Sequence, residues 1–559
     1  MSFWRRLGHA LAQPLRYAAL AAGVLPVLVF PAPSLGWLAW VVLVPGLLLM
    51  RAAPSAREAA VRAWWFGAGF IMAAHYWLVP NIGPGLLLVA IVLGALWTGV
   101  GVSTQALLRP PMTLWRSLAA LVVVPSYWLL VEWIRSWQAL GGPWALLGAS
   151  QWQHPAMLAL VSVGGVWLGS FALVAANTGI VILVTAPRAA LRAVGAVAAA
   201  AAVGAGPLAF ALTPVAHPAG QVTVALVQPG YQAHPSPLGT ASQRLTARLG
   251  PLHPDLIVWG ESSIGEDLRF HHALTGQLRR LSAAAGAPIL VDQDSFTPAG
   301  KSKVAVLVDR SGIVATYTKT RLVPFGEYIP FRQQLGWLTR ISKAAPSNML
   351  PGDGARVMTT TLRDGRPLKL GVLICFEAAF PDMSRADTRH GAQLIVYQTS
   401  DSTFQGSWAP AQHAALAAVR AAETGRPAVQ AALTGVTAAF DAQGRQLAWL
   451  GTAQRGVALV RLDLMPATDF TLFDHIGDTV PWAAIAISVL AALVALNRRR
   501  GSQRSVGIMV MKGNRRPVSS VSISEAVDSD RMPGTPRVTG QGVRDIRAGG
   551  PVHRMEEKP

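Results

Sequence analysis

Three polar residues stand where apolar runs stop, and their types suit acyl transfer. Cys375, the only cysteine of the chain, closes the run Leu370-Gly371-Val372-Leu373-Ile374. Glu261 follows Leu256-Ile257-Val258-Trp259-Gly260, and Lys319 follows Ala315-Thr316-Tyr317-Thr318 after the hairpin-like Asp309-Arg310-Ser311-Gly312. Strand ends gathered on one rim are where layered α/β domains build sites. A thiol attacks a carbonyl when a base takes its proton and a positive charge lies nearby. Glu261 has the chemistry to take that proton and return it to the leaving group. Lys319 would favour the thiolate and stabilise the tetrahedral oxyanion, with a backbone N–H near Cys375 as second donor. Spacing alone leaves simpler readings open: a small buried hydrophobe for Cys375, a helix N-terminal carboxylate for Glu261, and a solvated surface charge for Lys319.

The elements that must position these residues divide into a membrane part and a layered domain. Of 559 residues, 52% are hydrophobic and only 14% charged, with 19 tryptophans, a balance that points to membrane spans. The net charge of +20 is accounted for by arginines flanking spans and by a basic C-terminal tail, which suit an anionic cytoplasmic leaflet. No basic face interleaved with stacking aromatics argues for nucleic acid. One cysteine excludes an intrachain disulfide, and no Cys/His spacing matches a zinc site. His271, His272 and His413 read as surface or supporting groups, not metal ligands.

Seven apolar stretches precede residue 215, at about 15–31, 35–50, 64–81, 84–107, 117–134, 157–186 and 190–212, and an eighth occupies 480–497. The first is followed at once by others, so it is not a cleavable signal peptide, and Arg5-Arg6 lacks the rest of a twin-arginine pattern. Arginines alternate between loops. Arg5, Arg6 and Arg16 precede the first stretch. Arg51, Arg57 and Arg62 follow the second, Arg109 and Arg116 the fourth, Arg188 and Arg192 the sixth, and Arg498, Arg499 and Arg500 the eighth. The loops Pro31–Ser34, Pro80–Pro84 and Ile134–Pro155 hold only Arg135. By the positive-inside rule both termini are cytoplasmic and residues 215–479 lie outside. Gly94, Gly99 and Gly101 suit close helix packing. The 134–156 loop, with Trp137, Trp144 and Trp152, reads as an interfacial aromatic belt or as the lining of a lipid entrance.

Four regions follow: a seven-helix membrane domain (1–214), an extracytoplasmic layered domain (215–479), an eighth helix (480–497) and a basic, disordered tail (498–559). Strands are expected at 221–228, 255–261, 288–293, 304–309, 369–375, 393–399, 428–433, 436–441 and 457–462, and helices at 267–285 and 408–424. Strands alternating with helices and then hairpins argue for an α/β or α+β layered domain.

The residues around the three candidates narrow the choice. Trp259-Gly260-Glu261-Ser262, the stretch from Tyr317 to Pro330 (YTKTRLVPFGEYIP) and Ile374-Cys375-Phe376-Glu377 resemble the nitrilase superfamily in order and context. The run from Lys319 to Pro330, with RAAETGRP at 420–427 and Gly435-Val436-Thr437-Ala438, is similar to one membrane branch, the apolipoprotein N-acyltransferases. The resemblance covers about 10–497. It implies an αββα sandwich and a ping-pong reaction without a cofactor, because a thioester stores the acyl group. The chain would pass from a membrane phospholipid to the cysteine. From there it would reach the α-amino group of the diacylglyceryl-modified N-terminal cysteine of a lipoprotein, at the bacterial inner membrane. Carried over by position, Glu261 is the base, Lys319 the oxyanion and thiolate stabiliser, and Cys375 the nucleophile. Glu327 matches a further essential glutamate, orienting Lys319 or the incoming amine, and Glu377 bonds nearby backbone or is purely structural. A monomer is expected.

The sequence departs from the family pattern near the site. Phe376, a supporting residue, stands where tyrosine is common, and Ser400-Asp401-Ser402-Thr403-Phe404 stands where an Asn-Asp pair and then Trp-Phe are usual. Leu433-Thr434-Gly435 lacks the usual asparagine, and Gln228-Pro229-Gly230 the usual Gly-Asn. A membrane-tethered amidase using water as acceptor and a catalytically silent scaffold are the rival readings.

Overall fold

A computed structural model of the chain describes residues 14–213, 217–230, 239–340, 345–404 and 406–513, with side chains to residue 497. The expected boundary near 214–215 and the expected disorder of 514–559 lie outside these residues.

Among the described residues twelve strands build the layered domain. The first five are β1 (Gly220–Gln228), β2 (Leu256–Trp259), β3 (Ile289–Thr297), β4 (Gly300–Val308) and β5 (Ile313–Thr318). Next come β6 (Val357–Thr361), β7 (Pro367–Ile374), β8 (Leu394–Thr399) and β9 (Ala428–Ala432). The last are β10 (Thr437–Phe440), β11 (Gln446–Leu450) and β12 (Gly456–Leu464). They form two six-stranded sheets ordered β12-β1-β2-β3-β4-β5 and β11-β10-β9-β8-β7-β6. Each sheet has a parallel trio at its centre, β1–β2–β3 and β7–β8–β9. The sheets pack face to face, β1 and β2 on β9 and β4 on β7. The helices His272–Ala285, Pro381–Arg389 and Ala409–Thr424 complete the αββα sandwich. The central strands read as continuous apolar runs because they are covered on both faces; β2 and β8 are buried along their whole length. The edge strands β6 and β11, half exposed and part polar, give no such run and were not anticipated.

Among the described residues five helices are long and apolar enough to cross a membrane: Gly85–Leu108, Leu114–Arg135, Val161–Thr185, Ala189–Leu212 and Thr479–Asn497. The other three expected spans are built differently. The stretch at 15–31 forms the apolar helix Pro14–Val29 and that at 35–50 forms Gly36–Arg51, each shorter than a span. At ~1.5 Å per residue each reaches about 24 Å, less than the ~30 Å hydrocarbon core. Pro26 and Pro45 interrupt them. The third, expected at 64–81, is the helix Ala56–Ala74. It starts earlier because Ser55 caps it, accepting a hydrogen bond from the Glu58 amide, and because Glu58 pairs with Arg16 and Arg62. The last helix continues past 497 to Gly513, where no proline stops it before Pro517.

Gly94 and Gly101 do serve close packing: a Cβ on either would lie 2.6 Å from the Ala68 amide nitrogen or 2.4 Å from the Ala59 carbonyl oxygen. The 134–156 loop corrects the aromatic-belt expectation for two of its three tryptophans. Trp137 is exposed, but Trp144 and Trp152 are buried against the layered domain. Trp144 Nε1 donates to Gln412 Oε1 at 2.8 Å, and Trp152 stacks on Trp449. A second junction lies at the break in Val161–Thr185, where Gly164 and Gly165 leave helical geometry. The Val166 amide freed there donates to Glu423 Oε1 at 2.6 Å.

Candidate active site

The ends of β2, β5 and β7 open on one rim, and they bring Glu261, Lys319 and Cys375 together. Glu261 stands two residues past β2, where its amide donates to the Thr399 carbonyl at 3.2 Å. Lys319 follows β5 directly and its side chain has no solvent exposure. Its Nζ donates to Glu261 Oε1 at 3.1 Å and to Glu327 Oε1 at 2.7 Å. The Glu261 carboxylate also interacts with the Cys375 thiol, which it pushes up. One ammonium thus bridges two carboxylates, one of which acts on the sulfur.

Burial sets the charges of this cluster. It would lower the Lys319 ammonium, but Glu261 and Glu327 outweigh it and raise the group well above its ordinary value. Burial also pushes the Glu261 carboxyl up, and the positive charges of Lys319 and Lys303 more than reverse that, holding it below the usual range. Burial and then Glu261 push the Cys375 thiol well above its ordinary value, against the pull of Lys319. The resting site is therefore thiol, carboxylate and ammonium, in which the base is charged and the nucleophile still carries its proton.

Cys375 sits on a sharp turn. Its φ of +52° lies in the left-handed region, which costs a non-glycine residue about 1–2 kcal/mol and recurs where surroundings over-determine a functional group. The turn Cys375–Ala379 begins here, so the Phe376 N–H has no partner earlier in it. Glu377 fixes the turn. Its Oε2 accepts from the Ile374 amide at 2.7 Å. Its Oε1 accepts from the Thr320 and Arg321 amides at 2.7 and 2.9 Å and from the Tyr317 hydroxyl at 2.8 Å. Phe376 packs edge-on against Phe380 with ring centroids 5.0 Å apart. Both rings press on Gly142 of the 134–156 loop, where a Cβ would lie 2.7 Å from Phe376 Cζ.

Glu327 reaches Lys319 from a loop its own side chain shapes, since Oε2 accepts from the Val323 amide at 2.8 Å. Two further groups escape sequence reasoning. Lys303, on β4, pairs with Asp294 at 2.7 Å and donates to the Ser262 hydroxyl, and Asp292 Oδ1 accepts from the Ser262 amide at 2.7 Å. Both steady the residue after Glu261. Their only sequence signal is the polar stretch that follows Ile289-Leu290-Val291 in β3 and precedes Val304–Val308 in β4. His413 and Asp401 also enter the site, at 3.0 Å from each other; His413 is buried, not a surface group. Among the described residues no group of three or more His, Cys, Asp or Glu could hold a metal ion.

Comparison with known proteins bears on both halves. Residues 22–179 match the family model for the apolipoprotein N-acyltransferase N-terminal domain, and residues 223–469 match that for carbon-nitrogen hydrolases. The chain is similar to the apolipoprotein N-acyltransferase of Rhizobium rhizogenes, 31% identical over 77% of this chain and 85% of that one. It is also similar to that of Chlorobaculum tepidum, 29% identical over 88% and 98%, and to that of Geobacter metallireducens, 27% identical over 86% and 95%. With a nitrilase-type sandwich joined to apolar helices and relatives matched along nearly their full length, the chain belongs to the apolipoprotein N-acyltransferase family of bacterial membrane proteins.

Proposed function

We propose that this acyltransferase moves a fatty acyl chain from a membrane phospholipid to Cys375 as a thioester, and from there to the α-amino group of a diacylglyceryl-modified N-terminal cysteine. The observation that carries this reading is the shared ammonium, Lys319 held between Glu261 and Glu327, with both Glu261 and Lys319 acting on the Cys375 thiol.

In the first half-reaction Glu261 takes the thiol proton as sulfur attacks the ester carbonyl. The C–S bond forms, and the oxyanion is stabilised by Lys319 Nζ and the Phe376 N–H. Collapse breaks the ester C–O bond, and Glu261 returns its proton to the departing lysophospholipid oxygen. In the second half the amine attacks the thioester and gives a proton to Glu261, which passes it to the leaving Cys375 sulfur. Atoms and protons balance over the cycle, so the enzyme needs no cofactor. Glu327 orients Lys319, Glu377 holds the nucleophile's turn, and Phe376 supports it. Both substrates are lipid-anchored, so a site above apolar helices confines the search to a plane. The arginine alternation supports cytoplasmic termini, with residues 215–479 on the opposite side.

Incubation with phospholipid and a diacylated lipopeptide, followed by intact-mass analysis, tests this. Expected are an acyl adduct on Cys375 that hydroxylamine removes, a triacylated peptide, and neither product from Cys375→Ser. Free fatty acid without triacylated peptide would instead indicate hydrolysis, and full activity of Cys375→Ser would exclude the thioester.

A further inference from the structure

The proton transfers above leave His413 unused, yet its ring is buried inside the site with both nitrogens engaged. Nε2 lies 2.9 Å from the Cys375 carbonyl oxygen. Nδ1 lies 3.0 Å from Asp401 Oδ1 and 3.2 Å from the Thr399 hydroxyl, which can donate or accept. A peptide carbonyl and a carboxylate only accept hydrogen bonds. To satisfy both, each ring nitrogen must carry a hydrogen, which makes the ring an imidazolium.

The position of that charge gives it a use. The Cys375 carbonyl and the Phe376 N–H belong to one peptide unit. A cation donating to the carbonyl end draws electron density through the conjugated amide and makes the N–H end a stronger donor. We propose that His413, as the imidazolium partner of Asp401, is a positioning residue that polarises the Cys375–Phe376 peptide and so strengthens the Phe376 N–H toward the oxyanion. This rests on the thioester reading above.

The surroundings hold the arrangement still. The Asp401 amide donates to the Thr434 carbonyl at 2.8 Å. Gly435 comes so near that a Cβ there would stand 2.5 Å from Asp401 Oδ2. Trp144 lies over the His413 ring at 5.8 Å, so the loop from the membrane side covers it. The charged and titratable groups that act on the ring from packed elements are Asp401 after β8, Glu261 after β2 and Cys375 after β7. Burial alone would lower the imidazole; Asp401 outweighs it and raises the group above its ordinary value. Asp401 is also among the charges that push the Cys375 thiol up, and a positive ring beside it offsets that effect.

The test uses the full-length protein in phospholipid-containing micelles and compares Asp401→Asn and His413→Gln with the unaltered chain. Asparagine keeps the shape and can donate to Nδ1, leaving a neutral ring whose Nε2–H still reaches the Cys375 carbonyl. At pH 8 acylation of Cys375, followed by intact mass, is expected to slow roughly tenfold with KM unchanged. The lost rate should return only as pH falls below the ordinary histidine value of about 6.5, because burial lowers the ring once Asp401 no longer offsets it, and Glu261, held below the usual carboxylate range, stays ionised there. His413→Gln, a neutral donor, should be slow at every pH. Selective ¹⁵N-histidine spectra of the unaltered protein give a readout independent of acylation: both ring nitrogens of His413 protonated at pH 7.5. A neutral His413 in those spectra overturns the inference whether or not Cys375 is acylated. So does Asp401→Asn with an unaltered rate and pH profile, or a pH-independent loss that follows thermal stability. Absence of any acyl adduct in the unaltered protein, with His413 charged, would count against the thioester reading instead.

Discussion

The Glu377 carboxylate accepts a hydrogen bond from the Thr320 amide at 2.7 Å, so a side chain two residues past the nucleophile grips the backbone next to Lys319. Four donors converge on this carboxylate, from Ile374, Tyr317, Thr320 and Arg321. The strand end bearing the sulfur and the strand end bearing the ammonium belong to different sheets, and Glu377 is the splice between them.

Glu377→Gln should therefore fail in both stability and turnover. An amide nitrogen cannot accept, so at least one buried N–H loses its partner, which costs about 1–3 kcal/mol. A lower thermal midpoint and acylation reduced about a hundredfold are expected. Tyr317→Phe, which removes a single donor, should be much milder. Equal effects of the two variants would count against the splice.

Glu261→Gln should separate reactivity from transfer. Glu261 is among the charges that push the thiol up, and Lys319 pulls it down. Without the carboxylate burial still raises the thiol, but Lys319 pulls against a smaller opposition, so the thiol moves back toward its ordinary value and more thiolate forms at neutral pH than in the unaltered chain. Alkylation of Cys375 by iodoacetamide at pH 7 should become faster while acyl transfer falls by more than about a hundredfold for want of a base. Slower alkylation would contradict the charge order.

Glu423, whose Oε1 caps the broken membrane helix at Val166, titrates at about 7, raised by burial and drawn back by Arg420. A carboxyl whose folded value is raised binds its proton more tightly when folded. Its contribution is greatest below the unfolded value of about 4.5 and declines as pH rises to 7. The thermal midpoint of the unaltered protein should fall over that interval, and Glu423→Gln should lessen the fall. An identical pH profile for the two would show that the group does not titrate there.

The proposed orientation leaves residues 215–479 accessible from outside. Protease added to sealed spheroplasts should cut that region and spare the segment after Arg500. Cleavage of that segment alone would reverse the orientation.

What could be read in advance follows from the kind of interaction involved. β2 and β7 are covered on both faces, so they are continuous apolar runs with a polar residue at or just past the end, and Glu261 and Cys375 stood out. Lys319 was visible because a hairpin and a short strand lead into it. The helix Ala56–Ala74 was cut short because Arg57, Glu58 and Arg62 look like loop charges until Arg16 arrives to pair with Glu58. The Asp401–His413 pair was hidden for a similar reason. A charge on a mostly apolar helix shows its purpose only beside a carboxylate supplied by another strand's end. The burial of Trp144 and Trp152 likewise depends on Gln412 and Trp449, far downstream in the chain.

The pairing of β1 with β12 has one more consequence. Gly220 lies opposite Leu464, so the first strand of the layered domain begins and the last one ends at neighbouring positions, at the same end of two adjacent strands. A helix precedes the first by a few residues, and another follows the second at Thr479. To the rest of the chain the whole domain is a cassette with adjoining ends, the geometry that lets one module be inserted into, or exchanged within, another without stretching its host. The seating of such a cassette would then be decided by Trp144, Trp152 and Glu423, not by its two attachments.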